Sequence, residues 1–437
     1  MNLAQALRVT RSSKVAFVGA GGKTTAMFRL AREVAPVILA VSAHFGVHQA
    51  KMADRHLVVE SARDVAALRG QPLEDVLLFT GQPASDRKLK GVAPATLAEI
   101  CRLADHLGCP LLIEADGSRQ HPLKAPAAHE PVIPDFVDCV AVMAGMRGLG
   151  KRLTSAWVHR PERFAALAGV GMGARIDARS LTAVLTHSEG GLKGIPPGAW
   201  RVVLFNQADD AGLQAQARGM ADRLLGDFYG VGIAALEQGK VFAMHERVAA
   251  VVLAAGKSER LGQPKQLLDW RGRPLVRHVV AAALGAGVSE VVVVTGAFAE
   301  GVEAALAGLP VRVVRNPRWA EGQSTSVRAG LGAISPQNGA ALFLLVDQPW
   351  VSPRLIRALI ETHARSLAPI VAPLIDQRRG NPVLFDRATF PAFDGLAGDV
   401  GARALFARYR TMWVPWHDSR ALMDVDTPED YQRLIAE

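Results

Sequence analysis

The chain has 437 residues, a length at which one hydrophobic core usually gives way to two, so two domains are expected. Hydrophobic residues make up 49% and charged residues 21%. With no long uninterrupted apolar run and no secretory signal in MNLAQALRVTRSSK, a membrane span is excluded and a cytoplasmic protein is expected. The net charge of +9 favours acidic partners, and the scattered basic residues without aromatic interleaving favour phosphorylated small molecules over nucleic acid.

In chain order, β-branched runs alternate with amphipathic segments twice, from Val15 to about Phe242 and again from Val248 onward. The first half predicts strands at Val15–Val18, Val37–Val41, Val76–Phe79, Leu111–Glu114, Cys139–Met143 and Val202–Phe205. This alternation predicts an α/β fold of two consecutive Rossmann-like domains, 1–245 and 248–437, with mainly parallel sheets and ligands at the carboxyl ends of the strands.

The segment KVAFVGAGGKTTAMFRLARE (Lys14 to Glu33) is a strand, a glycine turn and a helix opening at Gly22, Lys23 and Thr24, a P-loop-like geometry. The helix N-terminus favours an anion, Lys23 can reach it, and a threonine hydroxyl can join a Mg ion. Phe17 stands where the standard P-loop has its first glycine. Glu114 and Asp116 end a strand where further Mg carboxylates would sit, and ATP or GTP is the expected ligand. His44 and His48 carry no HExxH glutamate and have Gly46 between them, so no metal site is expected there. Cys101, Cys109 and Cys139 lack paired spacing and are expected to be buried small residues. The run VVLFNQADD (Val202 to Asp210) resembles the base-reading element of GTP-binding proteins, with Gln207 in place of lysine. Together GAGGKTT, EADGSRQHPLKAP and FNQAD resemble the YqeC-like accessory family linked to selenium-dependent molybdenum hydroxylases. The chain departs from that family at VSAHFG, where Ser42 and Ala43 replace the usual threonines before His44.

The second half predicts strands at Ala249–Leu253, Val291–Thr295, Val311–Val314 and Leu342–Val346. The first runs straight into VVLAAGKSERLGQPKQLLDWRGRPL (Val251 to Leu275), a loop holding Gly256, Ser258, Arg260, Gly262 and Lys265. Glycine lets the main chain approach a polyphosphate, and the guanidinium and ammonium neutralise charge that develops on transfer. Asp347 follows an apolar strand and suits a hard divalent cation. Asp426 could supply a second carboxylate or cap the helix entered through Thr427 and Pro428, and spacing does not separate it from Asp424.

LAAG with the G-x-S-x-R-x-G-x-x-K spacing resembles the signature loop of the MobA-like molybdenum cofactor nucleotidyltransferases. RNPRWAEGQSTSVRAGL, LLVDQPWV, RRGNPVLF, LAGDVGARAL and DVDTPEDYQRL follow in family order. The resemblance implies transfer of CMP from CTP to the molybdenum cofactor, with Mg2+ on Asp347 and Asp426 and catalysis by Arg260, Lys265 and Asp347. Leu253, Ala254, Ala255, Gly256, Ser258, Gly262, Ser324 and Ser326 would line the nucleotide, with Gln323 beside them, and Asn381, Asp399 and Arg403 would face the acceptor molybdopterin. Ala255 matches the cytidylyl branch, since guanylyl members tend to carry LAGG. A molybdenum hydroxylase apoenzyme is the expected downstream partner. A sugar-phosphate or isoprenoid nucleotidyltransferase, and a cofactor-carrying chaperone, are the alternatives.

Overall fold

The computed structural model describes residues 1–436. The chain divides into two compact units, Met1–His245 and Glu246–Glu437. Among the described residues, no helix is long and apolar enough to cross a membrane.

The N-terminal unit is built on a nine-stranded sheet: β1 (Lys14–Gly19), β2 (Val37–Val41), β3 (Arg55–Val58), β4 (Val76–Thr80), β5 (Leu111–Glu114), β6 (Cys139–Gly145), β7 (Trp200–Asn206), β8 (Gly230–Ala235) and β9 (Lys240–Glu246). Their spatial order is β9-β8-β7-β6-β1-β5-β2-β4-β3. β1 pairs in parallel with β6 on one side and β5 on the other, with Phe17 opposite both Ala141 and Glu114. Both neighbours come from later in the chain, which opens a crevice at the carboxyl end of β1, where α/β sheets place ligands. Helix α1 (Lys23–Val34) starts directly after that end. β2, β4, β6 and β8 are buried along their whole length, the mark of a sheet covered on both faces.

The C-terminal unit holds an eight-stranded sheet: β10 (Val248–Ala254), β11 (Glu290–Thr295), β12 (Arg312–Arg315), β13 (Ala340–Leu345), β14 (Ile370–Ile375), β15 (Arg378–Arg379), β16 (Val383–Asp386) and β17 (Thr411–Trp416). The order is β12-β11-β10-β13-β16-β14-β15, with β17 paired to β14. β10 to β13 are parallel, and β16 runs antiparallel to both β13 and β14. Side chains of β10 alternate between two cores. Ala250, Val252 and Ala254 pack with Val280, Val293 and Leu342, while Val251 packs with Val294, Phe343, Phe385 and Phe393. Helices α2 (Gln323–Ala333), α3 (Pro353–Ser366) and α4 (Pro428–Ala436) complete the frame used below.

Glu246, His363 and Asp386 form a buried group at the end of the sheet remote from the β10 loop. His363 Nε2 lies 2.8 Å from Asp386 Oδ2, and Asp386 Oδ1 accepts the Ala388 N–H, so this carboxylate ties α3 to the end of β16.

Candidate functional site

β10 ends at Ala254, and the loop after it is pinned by a residue that the motif reading passed over. Gln266 is fully buried and donates from Nε2 to Ala254 O at 3.1 Å and Gly256 O at 2.7 Å. The signal for it was a polar residue between Lys265 and the apolar Leu267 and Leu268. Ser258 and Gly262 take left-handed φ values of 59° and 73°. Ser258 O accepts the N–H groups of Leu261 and Gly262, and its hydroxyl accepts the Lys265 N–H at 3.2 Å. Ser258 therefore shapes the loop through its hydroxyl.

The charged residues of this loop meet two acids from elsewhere in the chain. Lys265 Nζ lies 2.5 Å from Asp347 Oδ2 and 3.0 Å from Asp426 Oδ1. Arg260 Nη2 lies 2.7 Å from Asp426 Oδ2. Burial works against the Lys265 charge, yet the two carboxylates hold its pKa above the ordinary lysine value. Val425 N–H donates to Asp347 O at 3.0 Å and so clasps the two acidic segments together. Among the described residues, Asp347 Oδ1 is buried and takes no hydrogen bond. Two carboxylates with an open oxygen are the hard donor set that Mg2+ prefers, and the residues present fit such an ion once Lys265 turns toward a phosphate.

The structure separates Asp424 from Asp426. Gln348 Nε2 donates to Asp424 Oδ1 at 2.6 Å. Burial raises the Asp424 pKa, and the negative charges of Asp347 and Asp426 raise it further. Helix α4 is not capped by Asp426. Thr427 Oγ1 accepts the Asp430 N–H at 3.2 Å, and Asp430 Oδ2 accepts the Thr427 N–H at 2.9 Å, a capping box that leaves the Asp426 carboxylate to the cations.

The remaining expected residues are spread over several segments. Ser326 Oγ and Thr325 Oγ1 accept from Asn316 Nδ2 at 2.9 and 2.8 Å in a buried network, so Ser326 holds α2 in place. Ser324 is fully buried, and its hydroxyl has no partner among the described residues. Leu253 is half-buried and Ala255 buried, with Ala255 O accepting the Ala297 N–H. Asp399 Oδ1 accepts the Gln323 N–H at 3.2 Å and so caps α2 from the GDVGAR segment. A Cβ on Gly322 would lie 2.5 Å from Gly398 C, which fixes how closely these segments approach. Arg403 is exposed, and Asn381 is half-buried at the bend before β16.

In the N-terminal unit the glycine turn is bound tightly into the protein. Gly19 N–H donates to Asp116 Oδ2, Ala20 N–H to Met143 O and Gly21 N–H to His121 O. Only from Gly22 onward does the opening of α1 offer amides without intrahelical partners. Lys23 is buried, donates to Gly19 O at 2.7 Å and lies 3.2 Å from Asp116 Oδ1. Thr24 Oγ1 donates to Glu114 Oε2 at 2.8 Å and accepts from Gln49 Nε2 at 3.1 Å. Burial raises the Glu114 pKa, opposed by Lys23 and the Thr24 hydrogen bond.

Asn206 locks this turn by donating to Gly21 O at 2.8 Å and accepting the Leu236 N–H at 2.9 Å. Asp209, where a guanine-reading carboxylate would stand, is 2.6 Å from the Arg147 guanidinium. Reading a base there would first require Arg147 to leave. A Cβ on Gly22 would lie 2.6 Å from Asn206 Nδ2, at a φ of 106°. Gly22→Ala is therefore expected to cost about 1–3 kcal/mol, read as a lower urea midpoint.

Behind the turn, Lys124 lies 2.7 Å from Asp116 and 2.8 Å from Glu130, and Arg160 lies 2.8 Å from Glu130. Burial pushes the Glu130 pKa up, but Lys124 and Arg160 outweigh it and lower the pKa from 4.5 to about 2. A carboxylate with a depressed folded pKa contributes stability that is complete above its unfolded pKa and lost as pH falls through the folded one. The gap in urea midpoint between wild type and Glu130→Gln should accordingly be largest near neutral pH and shrink from about pH 5 towards pH 2.

The C-terminal unit, in which a mixed sheet sends its first strand into a basic glycine loop set against paired carboxylates, is a nucleotidyltransferase by the family it matches. The family described as MobA-like NTP transferase domain matches residues 250–412, and that described as YqeC protein matches residues 15–162. The chain belongs to both families, one through each half. It is 32% identical over 216 residues to the uncharacterized protein YqeC of Escherichia coli (strain K12), covering 47% of this chain and 81% of that protein. It is 36% identical over 203 residues to the nicotine blue oxidoreductase of Paenarthrobacter nicotinovorans, covering 43% of this chain and 96% of that protein. The crystal structure of Rv0371c from Mycobacterium tuberculosis H37Rv shares 31% identity at a TM-score of 0.40, covering 44% of this chain and 99% of that one. A second structure of Rv0371c is described as a complex with manganese.

Proposed function

We propose that the C-terminal unit is a CTP:molybdenum cofactor cytidylyltransferase dependent on Mg2+. The observation that carries this reading is the convergence of Arg260 and Lys265 from the glycine loop on Asp347 and Asp426. Ala255 in LAAG supports cytidine as the base. The cofactor's terminal phosphate would attack the α-phosphorus of CTP, and pyrophosphate would leave without a covalent enzyme intermediate. Asp347 and Asp426 would hold the ion, which when bound screens the phosphates from one another. Lys265 would exchange its carboxylate partners for phosphate oxygens, and Arg260 would stabilise charge on the transferring and leaving groups. Gln266 holds the Ala254 and Gly256 carbonyls, and the other edge of the loop would take the triphosphate.

The test is a nucleotide panel with molybdenum cofactor and Mg2+, scored for pyrophosphate. Release with CTP well above that with GTP, ATP and UTP is the expected result. Release only with a sugar phosphate or an isoprenoid precursor as acceptor would replace this reading with the corresponding nucleotidyltransferase. Cofactor binding with no pyrophosphate from any nucleotide would make the unit a carrier.

For the N-terminal unit we propose nucleotide binding at Gly22, Lys23 and Thr24, with ATP or GTP as ligand, in the service of molybdenum hydroxylase maturation. The support is the glycine turn opening α1 beside a buried lysine. The fusion of both units in one chain supports a shared process in a cytoplasmic setting.

A further inference from the structure

In the transfer proposed above, Arg260 and Lys265 attend the triphosphate, and the attacking phosphate brings a second anion that needs donors of its own. The sheet of the C-terminal unit places such donors on the far side of β13 from the glycine loop. β17 pairs with β14 over its whole length, Ile370 to Ile375, and so fills one edge of that strand. β15 and β16 therefore share the other edge, β16 at Ile370 and Val371 and β15 at Leu374 and Ile375. Because β16 is also the partner of β13, β15 continues the same column towards the carboxyl ends of β13 and β14. Arg379, opposite Leu374, thus stands in the column next to β13, one strand spacing or about 5 Å to the side of the strand that leads to Asp347. The glycine loop follows β10, the neighbour of β13 on the other side.

An aromatic ring holds Arg379 in place. Its Cζ lies 4.4 Å from the centroid of the Phe406 ring. Phe406 is held in turn by Trp413, stacked at 6.0 Å, and by an edge contact with Phe385 at 6.3 Å. It belongs to a 3-10 helix, Gly398–Ala407, in which side chains three residues apart eclipse, so Arg403 shares its face. The start of this segment packs on α2, where a Cβ on Gly401 would lie 2.6 Å from Gln323 Oε1. Asp399, the acid of the segment, is taken up by the Gln323 N–H.

Arg379 and Arg403 are exposed, and neither makes a hydrogen bond or an ion pair among the described residues. Arg315, Arg318, Arg365, Arg420 and Arg433 of the same unit each pair with a carboxylate. A free surface arginine is ordinarily only solvated. Here the ring fixes one of the two, so that its N–H donors project in one plane and a phosphate meets a fork already formed.

We propose that Arg379, held flat on Phe406 and acting with Arg403, binds the terminal phosphate of the acceptor. The proposal rests on the reading of this unit as a transferase that uses a phosphate acceptor. It adds to the acceptor face a residue that the motifs did not single out, and it divides the work: cations of the glycine loop hold the nucleotide, and guanidinium groups across β13 hold the nucleophile.

Steady-state kinetics on the full chain test this, with Mg2+, the acceptor varied at saturating CTP and CTP varied at saturating acceptor. Arg379→Ala is expected to raise the acceptor KM at least about tenfold, the worth of a charge-assisted contact, with the CTP KM within about twofold of wild type. Arg379→Lys keeps the charge without the fork and should recover only part of the loss. Phe406→Leu should raise the acceptor KM in the same direction, by about threefold, because the guanidinium is then free to swing. Inorganic phosphate, the bare group, should compete with the acceptor at saturating CTP, and its inhibition constant should rise about tenfold in Arg379→Ala. An acceptor KM unchanged in Arg379→Ala, or a CTP KM that rises as much, overturns the assignment, and these exposed-site variants decide it if Phe406→Leu does not fold. If a sugar phosphate replaces the molybdenum cofactor as acceptor and Arg379→Ala raises its KM, the cofactor reading fails and the phosphate site stands. If no acceptor yields pyrophosphate, the Kd of the cofactor decides in place of KM: a rise in Arg379→Ala keeps the site, and no change overturns it.

Discussion

Asp347→Ala is expected to lower nucleotidyl transfer by about 10²–10³-fold while leaving the circular dichroism spectrum unchanged. Asp347 stands two residues beyond β13, is half-buried, and carries both the 2.5 Å contact to Lys265 and the open Oδ1. Removing it deletes one of the two carboxylates able to hold a cation and leaves Lys265 bound to Asp426 alone, misdirected relative to a triphosphate. The loss should fall mainly on kcat, because the interaction is needed as charge develops during transfer. The measurement is pyrophosphate release under saturating Mg2+ with the nucleotide and acceptor chosen by the panel. Turnover within about threefold of wild type, far short of the loss of one preorganised charge, would remove Asp347 from the site.

The second large effect concerns the other half. Lys23→Ala is expected to weaken ATP or GTP binding at least about tenfold, since a charge-assisted contact to phosphate is worth about 1.5–3 kcal/mol. Lys23 is 3% exposed and points into the turn, where its present partners, Gly19 O and Asp116, are ones a phosphate can replace. Fluorescent-nucleotide titration of the full chain, with excess CTP present to fill the C-terminal site, isolates the effect. Nucleotidyl transfer by the C-terminal unit should be unchanged, because Lys265 and Asp347 belong to a different sheet. If transfer falls together with binding, the two sites are coupled and their independence is wrong.

The strands that the sequence revealed are those with an uninterrupted apolar stretch at their centre. β2, β4, β5 and β11 read as apolar runs with polar residues only at strand ends, at Thr80, Glu114, Glu290 and Thr295, because both sheet faces are covered. β8 was missed because GVGIAA has two glycines, which suit close packing here: a Cβ on Gly230 would lie 2.3 Å from Met244 Cε. β14 and β17 were missed because each contains a proline, Pro373 and Pro415, which in a sequence argues against an interior strand. β16 is short, at four residues, and its antiparallel pairing with β13 depends on chain distant in sequence.

The sequence by itself determined where phosphate-binding loops could form, because glycine's backbone freedom and a nearby cation are local properties. It also determined that Asp347 follows an apolar strand. The tertiary structure alone decided which acid meets which cation. Asp424 and Asp426 are two residues apart in one segment, yet Gln348 takes the first, while Lys265 and Arg260 take the second across more than 150 residues of chain. Helix capping by Thr427 and Asp430 likewise became visible only once α4 was formed. The buried pairing of Asp116 with Lys23 and Lys124 has the same character, since a group's partners depend on everything folded around it. Local conformation is written in neighbouring residues, whereas electrostatic pairing is set by distances that only the folded chain defines.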